Sequence, residues 1–128
     1  MASNHRIFIS FAAEDTWARD FLVGQARNEY SPFSFVDMSV KEPWSESWKT
    51  SCRTKIKGCD GMIAMVSPNT PQAAGALWEI SCAKREGVPV LGIHVSEKDR
   101  LWILPPECFD VRVVAWTWDN IKNWLGTL

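Results

Sequence analysis

Residues 60–95 read Asp60-Gly-Met-Ile-Ala-Met-Val66, Ser67-Pro-Asn-Thr-Pro71, a long segment to Glu86, then Gly87-Val-Pro-Val-Leu-Gly-Ile-His-Val95. Asp60 to Val66 is a short, near-continuous apolar run and predicts a strand buried on both faces. Ser67 to Pro71 is turn chemistry. Ala73 to Glu86 carries helical spacing and is stopped by Gly87. Val88 to Val95 is a second apolar strand. A strand, a helix and a strand, with neither strand alternating in polarity, is what a parallel sheet covered by helices on both sides requires. The right-handed crossover then limits the topology.

The flanking sequence continues this alternation. Arg6 to Ser10 is an apolar, β-branched and aromatic strand. Phe11 to Glu14 form a loop, and Asp15 or Thr16 is placed to cap a helix running to about Arg27. The helix's apolar positions are Trp17, Ala18, Phe21, Leu22 and Ala26. Pro32 breaks the chain before a strand at Phe33 to Asp37. Met38 to Ser45 is a loop holding Pro43 and Trp44. Glu46 to Lys57 is a basic-ended helix with Gly58 at its stop. Ser96 to Asp110 is a connection with no predicted element. Val111 to Trp116 is a fifth strand and Trp118 to Leu125 a closing helix. The pattern predicts an α/β, flavodoxin-like fold in one domain over residues 1–128, with a five-stranded parallel sheet of order 2-1-3-4-5 and helices on both faces.

Composition narrows the function. The 128 residues are 46% hydrophobic and carry 14 Lys+Arg against 15 Asp+Glu, a net charge of −1. No basic field exists to hold nucleic acid or an anionic membrane. The chain shows no signal-peptide apolar region and no membrane-length apolar run, so a cytoplasmic protein is expected. Cys52, Cys59, Cys82 and Cys108 form no CxxC and read as buried, reduced thiols; no metal site is expected. His94 reads as a strand-end residue, and neither it nor His5 belongs to a nucleophile motif. Tryptophan is the unusual count, eight against one Tyr. Trp17 and Trp124 follow helical core spacing, and Trp116 and Trp118 bracket the end of the last strand. Trp44 and Trp78 fall beside the expected crevice. Trp48 and Trp102 carry no assignment.

In such a sheet, ligands bind at the carboxyl ends of the strands, where the strand order reverses. This nominates Ser10 to Asp15, Asp37 to Trp44 and Ser67 to Ala74. No aspartate ends the third strand, as a phosphoacceptor would require. No GxGxxG or Ser/Thr/Gly-rich phosphate loop follows the first strand. Glu79 lies at the margin of the stripe Ala73, Ala76, Leu77, Ile80 and the Lys84 stem, ~100° from its centre on a 3.6-residue period. It is expected to be half-shielded in the crevice, a position suited to chemistry. The alternative is a solvated helix glutamate near Lys84 or Arg85.

The motif Phe8-Ile9-Ser10-Phe11-Ala12-Ala13-Glu14-Asp15 resembles the opening of TIR domains. Val66-Ser67-Pro68-Asn69-Thr70, followed by Leu77-Trp78-Glu79-Ile80, resembles the segment leading into their catalytic-glutamate helix. The middle blocks Phe33-Ser34-Phe35-Val36-Asp37, Lys41-Glu42-Pro43-Trp44 and Lys55 to Asp60 resemble the TIR-like family of the Thoeris ThsB proteins of bacterial anti-phage defence. The resemblance covers about residues 5–95 and implies an enzyme for which NAD is a substrate, not a cofactor. Such domains break the nicotinamide–ribose bond and release, cyclise or transfer the ADP-ribose, sometimes as a signal to an effector protein. They often self-assemble. The resemblance makes Glu79 the catalytic residue. Phe11 and Ala12 are candidates to pack on nicotinamide, and Trp44 or Trp78 to offer a flat wall for a ring. Ser10, Asp37 and Ser39 are candidates to bond ribose or phosphate-linked groups. Many TIR enzymes carry Trp four residues before the glutamate; this chain has Gly75 there. Two other readings stay open: an interaction module without activity, and a nucleoside deoxyribosyltransferase-like enzyme.

Overall fold

The computed structural model describes residues 5–29, 33–38, 40–101 and 103–128. Strands β1 (His5–Ser10), β2 (Phe33–Val36), β3 (Gly61–Val66), β4 (Val90–His94) and β5 (Arg112–Ala115) form one sheet of order β2-β1-β3-β4-β5. Every neighbouring pair is parallel. Helices α1 (Thr16–Asn28), α2 (Glu46–Lys57), α3 (Ala74–Arg85) and α4 (Trp118–Leu125) cover it. β3 is buried along its whole length because both of its faces are covered.

The two faces hold separate cores. Ile7, Ile9, Ile63, Met65, Leu91 and Ile93 point toward Ala18 and Leu22 of α1 and Ile121 of α4. Phe8, Met62 and Ala64 point the other way, toward Trp48, Cys52 and Ile56 of α2 and Ile80 and Ala83 of α3. This division follows from the two-residue period of a strand. Ser10 shares the parity of Phe8 and so belongs to the α2/α3 face, at the carboxyl end of β1.

The expected elements form, with ends moved for local reasons. α2 and α4 span the predicted residues. Ser45 Oγ accepts the Trp48 N–H at 3.3 Å, and Thr117 Oγ1 accepts the Asn120 N–H at 3.1 Å, capping each start. α3 ends at Arg85, and Gly87 just beyond it, with a φ of +73° in the left-handed region, turns the chain away. β4 begins at Val90, not Val88, since Pro89 has no N–H to give the ladder. Among its described residues, the connection 96–110 contains a turn of tight helix at Pro106–Cys108. The predicted break at Pro32 lies outside the described residues.

Three expectations fail. Trp17 and Phe21 were placed on the core stripe of α1, yet they are 58% and 64% exposed. The buried stripe is Ala18, Leu22 and Ala26, with Val23 packed partly buried against the same core. With that face turned to the sheet, the two large rings lie to the outer side of the helix. Phe21 instead meets Trp116 edge-to-face, centroids 5.6 Å apart. Asp15 occupies the N-cap position of α1 but its side chain caps nothing. Its carboxylate is drawn to the loop after β3. All four cysteines are buried and free, as expected. Among the described residues, no helix is long and apolar enough to cross a membrane.

Candidate active site

β1 and β3 are neighbours in the sheet, and the chain leaves their carboxyl ends in opposite directions, opening a crevice. The Asp15 carboxylate braces its rim. It accepts from Ser67 Oγ at 2.5 Å and from Asn69 Nδ2 at 3.0 Å, tying the loop after β1 to the loop after β3. Ser67 Oγ also accepts the Asn69 N–H at 3.0 Å, and the Ser67 N–H donates to Thr70 Oγ1 at 2.9 Å. The last residue of the TIR-like opening motif is therefore a strut between two site loops.

Glu79 lies within this crevice and is 0% exposed. The expected half-shielded position is corrected by the way α3 is seated. Its buried residues are Gly75, Ala76, Glu79, Ile80, Cys82 and Ala83, a stripe centred closer to Glu79 than the one built on Leu77. α2 packs along the flank of α3 and covers the carboxylate from that side. Ser10 Oγ donates to Glu79 Oε1 at 2.9 Å. The Cys52 thiol, from α2, approaches Oε2 at 3.9 Å.

A buried carboxylate needs a counter-charge, and Lys41 supplies it. Lys41 Nζ donates to Oε2 at 2.7 Å and to Oε1 at 3.0 Å, with its side chain only 9% exposed. The same ammonium stands 4.4 Å from the centre of the Phe11 ring, a cation–π distance. Burial pushes the Glu79 carboxyl up from 4.5 to about 7, with Lys41 and Ser10 opposing the rise and the Asp37 charge adding to it. The result is a carboxyl poised near neutrality.

Above Lys41 opens a cleft of about 180 Å³, lined by Phe11, Ala12, Ala13, Glu14, Lys41, Pro43, Trp44 and Ala73 to Ala76. It accommodates one ring-sized part of a ligand, being smaller than the ~300–1,000 Å³ of a whole small-molecule site. Glu79 does not line it, because the Lys41 stem intervenes. Trp44 stands at the mouth, 77% exposed.

The model of the family described as Thoeris protein ThsB, TIR-like domain, matches residues 8–100, a span holding Ser10, Lys41 and Glu79. The chain belongs to that family. Similar solved structures include the Clostridium botulinum CMP N-glycosidase BcmB, 17% identical, with a TM-score of 0.52 over 95% of this chain and 96% of that one. A prokaryotic SEFIR domain is 11% identical, with a TM-score of 0.57 over 97% of this chain and 95% of that one. These likenesses concern the fold. No curated protein matches the chain.

As a member of the ThsB TIR-like family, the chain brings most of its expected site residues together. Ser10 bonds Glu79, Phe11 and Ala12 wall the cleft, and Trp44 flanks it. Asp37 is near, but its carboxylate accepts from Arg19 Nε at 2.7 Å and locks the end of β2 to α1. Ser39 lies outside the described residues, as does Trp102. Trp78 is not at the cleft. Though adjacent to Glu79 in sequence, it points ~100° away around the helix, packs edge-to-face on Trp48 with centroids 5.4 Å apart, and lies near Arg53 and Arg85. Trp48, unassigned from sequence, is 6% exposed and anchors the site loop by donating Nε1–H to the Val40 carbonyl at 2.7 Å.

Lys41 is the residue that sequence reading missed, and Gly75 is noted there only as a departure. A signal for Lys41 was present: the loop after β2 holds one lysine before Pro43, and a carboxylate on a helix margin needs a partner. The signal for Gly75 was its departure from tryptophan. A Cβ at Gly75 would meet Lys41 Cβ at 2.9 Å, so the glycine is where the lysine stem crosses α3.

Proposed function

We propose that this ThsB-family domain is an NAD-consuming enzyme of anti-phage defence that cleaves the nicotinamide–ribose bond with Glu79 as its catalytic carboxylate. The observation that carries the reading is Glu79 itself: a fully buried carboxyl, bonded by Ser10 and seated at the switch point beneath a cleft walled by Phe11, Ala12 and Trp44. Nicotinamide leaves NAD⁺ as a neutral base, so its departure needs no general acid. Positive charge develops on the ribose as the bond to nitrogen breaks, as in other glycosyl transfers. A preformed carboxylate beside that carbon stabilises the charge, and a low-dielectric site strengthens the effect. Water attack at the same carbon yields ADP-ribose and releases a proton. Attack by an atom of the ADP-ribose itself yields a cyclic product instead. Phe11 and Ala12 pack against the departing ring, and Trp44 covers its outer face. The likeness to a CMP N-glycosidase is consistent with chemistry on an N-glycosidic bond. The product serves as a cytoplasmic signal to a partner effector, and assembly of several copies accompanies activity.

The test is nicotinamide release from NAD⁺ by the purified chain and by Glu79→Gln, together with mass spectrometry of small molecules from phage-infected cells expressing each. An ADP-ribose-derived product present with wild type and absent with the variant supports the reading. The same product from both removes Glu79 from the chemistry. No product from wild type under infection favours an interaction module.

A further inference from the structure

Resting on the NAD-cleaving reading above, we infer that Lys41 determines substrate specificity by exchanging ion-pair partners. Its ammonium holds the place of the substrate's cationic centre on Glu79 and Phe11, and leaves it only for an anionic group carried by the same substrate.

The geometry compels a displacement. Lys41 gives two hydrogen bonds to Glu79, at 2.7 and 3.0 Å, and its stem separates the carboxylate from the cleft. No ligand in the cleft touches Glu79 while that contact stands. The side chain alone can make the move, since a lysine stem turns about four single bonds, and the backbone of its loop stays pinned through Val40 to Trp48.

The energetics select the ligand. Separating a buried ion pair and leaving either charge unpaired is strongly unfavourable. A ligand with a cation alone satisfies Glu79 and leaves Lys41 only the exposed Glu14 at the cleft, a pairing worth little in water. A ligand with an anion alone satisfies Lys41 and strands Glu79. A ligand carrying both charges satisfies both. The spot now held by the ammonium, 4.4 Å over the Phe11 ring and against a carboxylate, suits a flat aromatic cation. Among the cleft's lining residues, Lys41 is the cation available to a phosphate, and Glu14 is the other charged group. Glu14 repels a phosphate and so does not compete with Lys41 for it. The substrate class is therefore a pyridinium nucleotide bearing phosphate, in preference to a pyridinium nucleoside or a nucleotide with a neutral base.

Gly75 belongs to the same device. A Cβ there would meet Lys41 Cβ, Cγ and Cδ at 2.9, 3.3 and 3.2 Å, so the crossing requires glycine. The absence of the tryptophan that many TIR enzymes carry at this position is accounted for by the lysine stem that fills it.

The experiment measures both binding and nicotinamide release for NAD⁺, nicotinamide mononucleotide and nicotinamide riboside, with CMP as a binding-only probe. Wild type, Lys41→Met and Lys41→Arg are compared after circular dichroism confirms folding. Wild type is expected to favour the mononucleotide over the riboside and over CMP by ~10-fold or more, the worth of a charged hydrogen bond. Lys41→Met brings the mononucleotide and the riboside within ~3-fold of one another while Glu79 keeps both ahead of CMP, and Lys41→Arg keeps the wild-type preference. A preference for the mononucleotide over the riboside that survives in Lys41→Met overturns the assignment while leaving the activity reading intact. The same preference in binding, abolished by Lys41→Met without nicotinamide release from any protein, upholds the assignment and overturns the activity. Neither binding nor release with wild type overturns both.

Discussion

The stem of Lys41 lies directly over Gly75 of α3, and its ammonium reaches Glu79 one turn further along the same helix. A methyl group at Gly75 would meet Lys41 Cβ at 2.9 Å. The contact is with the root of the side chain, which cannot swing away as a tip would. The glycine, the lysine and the glutamate are thus one arrangement, in which a helix residue without a side chain lets a loop cation reach a buried carboxylate.

Gly75→Ala tests this arrangement through stability. In a free helix the exchange is favourable by ~1 kcal/mol. Here it is expected to destabilise by ~1–3 kcal/mol, as overpacking does. The penalty should disappear when Lys41→Gly is added, since the colliding atom is then gone, and denaturant unfolding of the double-mutant cycle measures that coupling. Additive effects would mean the two residues do not touch.

The pH dependence of folding follows from Glu79. Its carboxyl titrates at about 7 in the fold against 4.5 when solvated. Between those values the folded chain holds a proton that the unfolded chain has lost, so stability falls as pH rises. The contribution is complete below about 4.5 and is lost by about 7. The loss amounts to ~3 kcal/mol over that window. Chemical denaturation across the range should show this slope in wild type, and Glu79→Gln should flatten it. A variant that keeps the slope would place its origin in another group.

The strut between the site loops has its own signature. Ser67→Ala removes the hydroxyl held by Asp15 and leaves a carboxylate only 3% exposed with one fewer donor. The expected cost is ~1–3 kcal/mol. Because the strut joins both rims of the crevice, hydrogen exchange of residues 11–15 and 67–73 should quicken more than that of α4. Uniform quickening would mark a global loss of stability instead.

The tryptophans separate by variant. Trp44→Ala should leave stability within ~0.5 kcal/mol, since the ring is 77% exposed, while weakening NAD⁺ binding. Trp78→Ala should cost ~2 kcal/mol or more through its contact with Trp48, with little effect on binding beyond that loss. Trp17→Ser should change neither, and thermal melts with a binding titration distinguish all three.

Much of this architecture is legible from residue order. Apolar runs bounded by turn residues define β3 and β4, and the strand-to-helix rhythm implies the parallel sheet and its order. Carboxyl-end loops then name the crevice, and the resemblance of the block around Glu79 to TIR domains points to the carboxylate. These features are local, depending on period, turn chemistry and spacing along one segment.

What periodicity misplaced depends on neighbours distant in sequence. Trp17 and Phe21 share the spacing of core residues, yet Ala18, Leu22 and Ala26, with Val23 beside them, face the sheet. Trp78 adjoins Glu79 along the chain and points to another face of the helix, where Trp48 receives it. By itself the amino-acid order determined the fold and the place of the crevice, and its TIR-like blocks pointed to Glu79. Only the tertiary structure decided that Glu79 is wholly buried, that Lys41 neutralises it from a loop 38 positions away in the chain, and that Gly75 lets the lysine through. The physical reason is that burial and ion pairing are set by what packs across a helix from elsewhere, whereas spacing along one helix reports only its own faces.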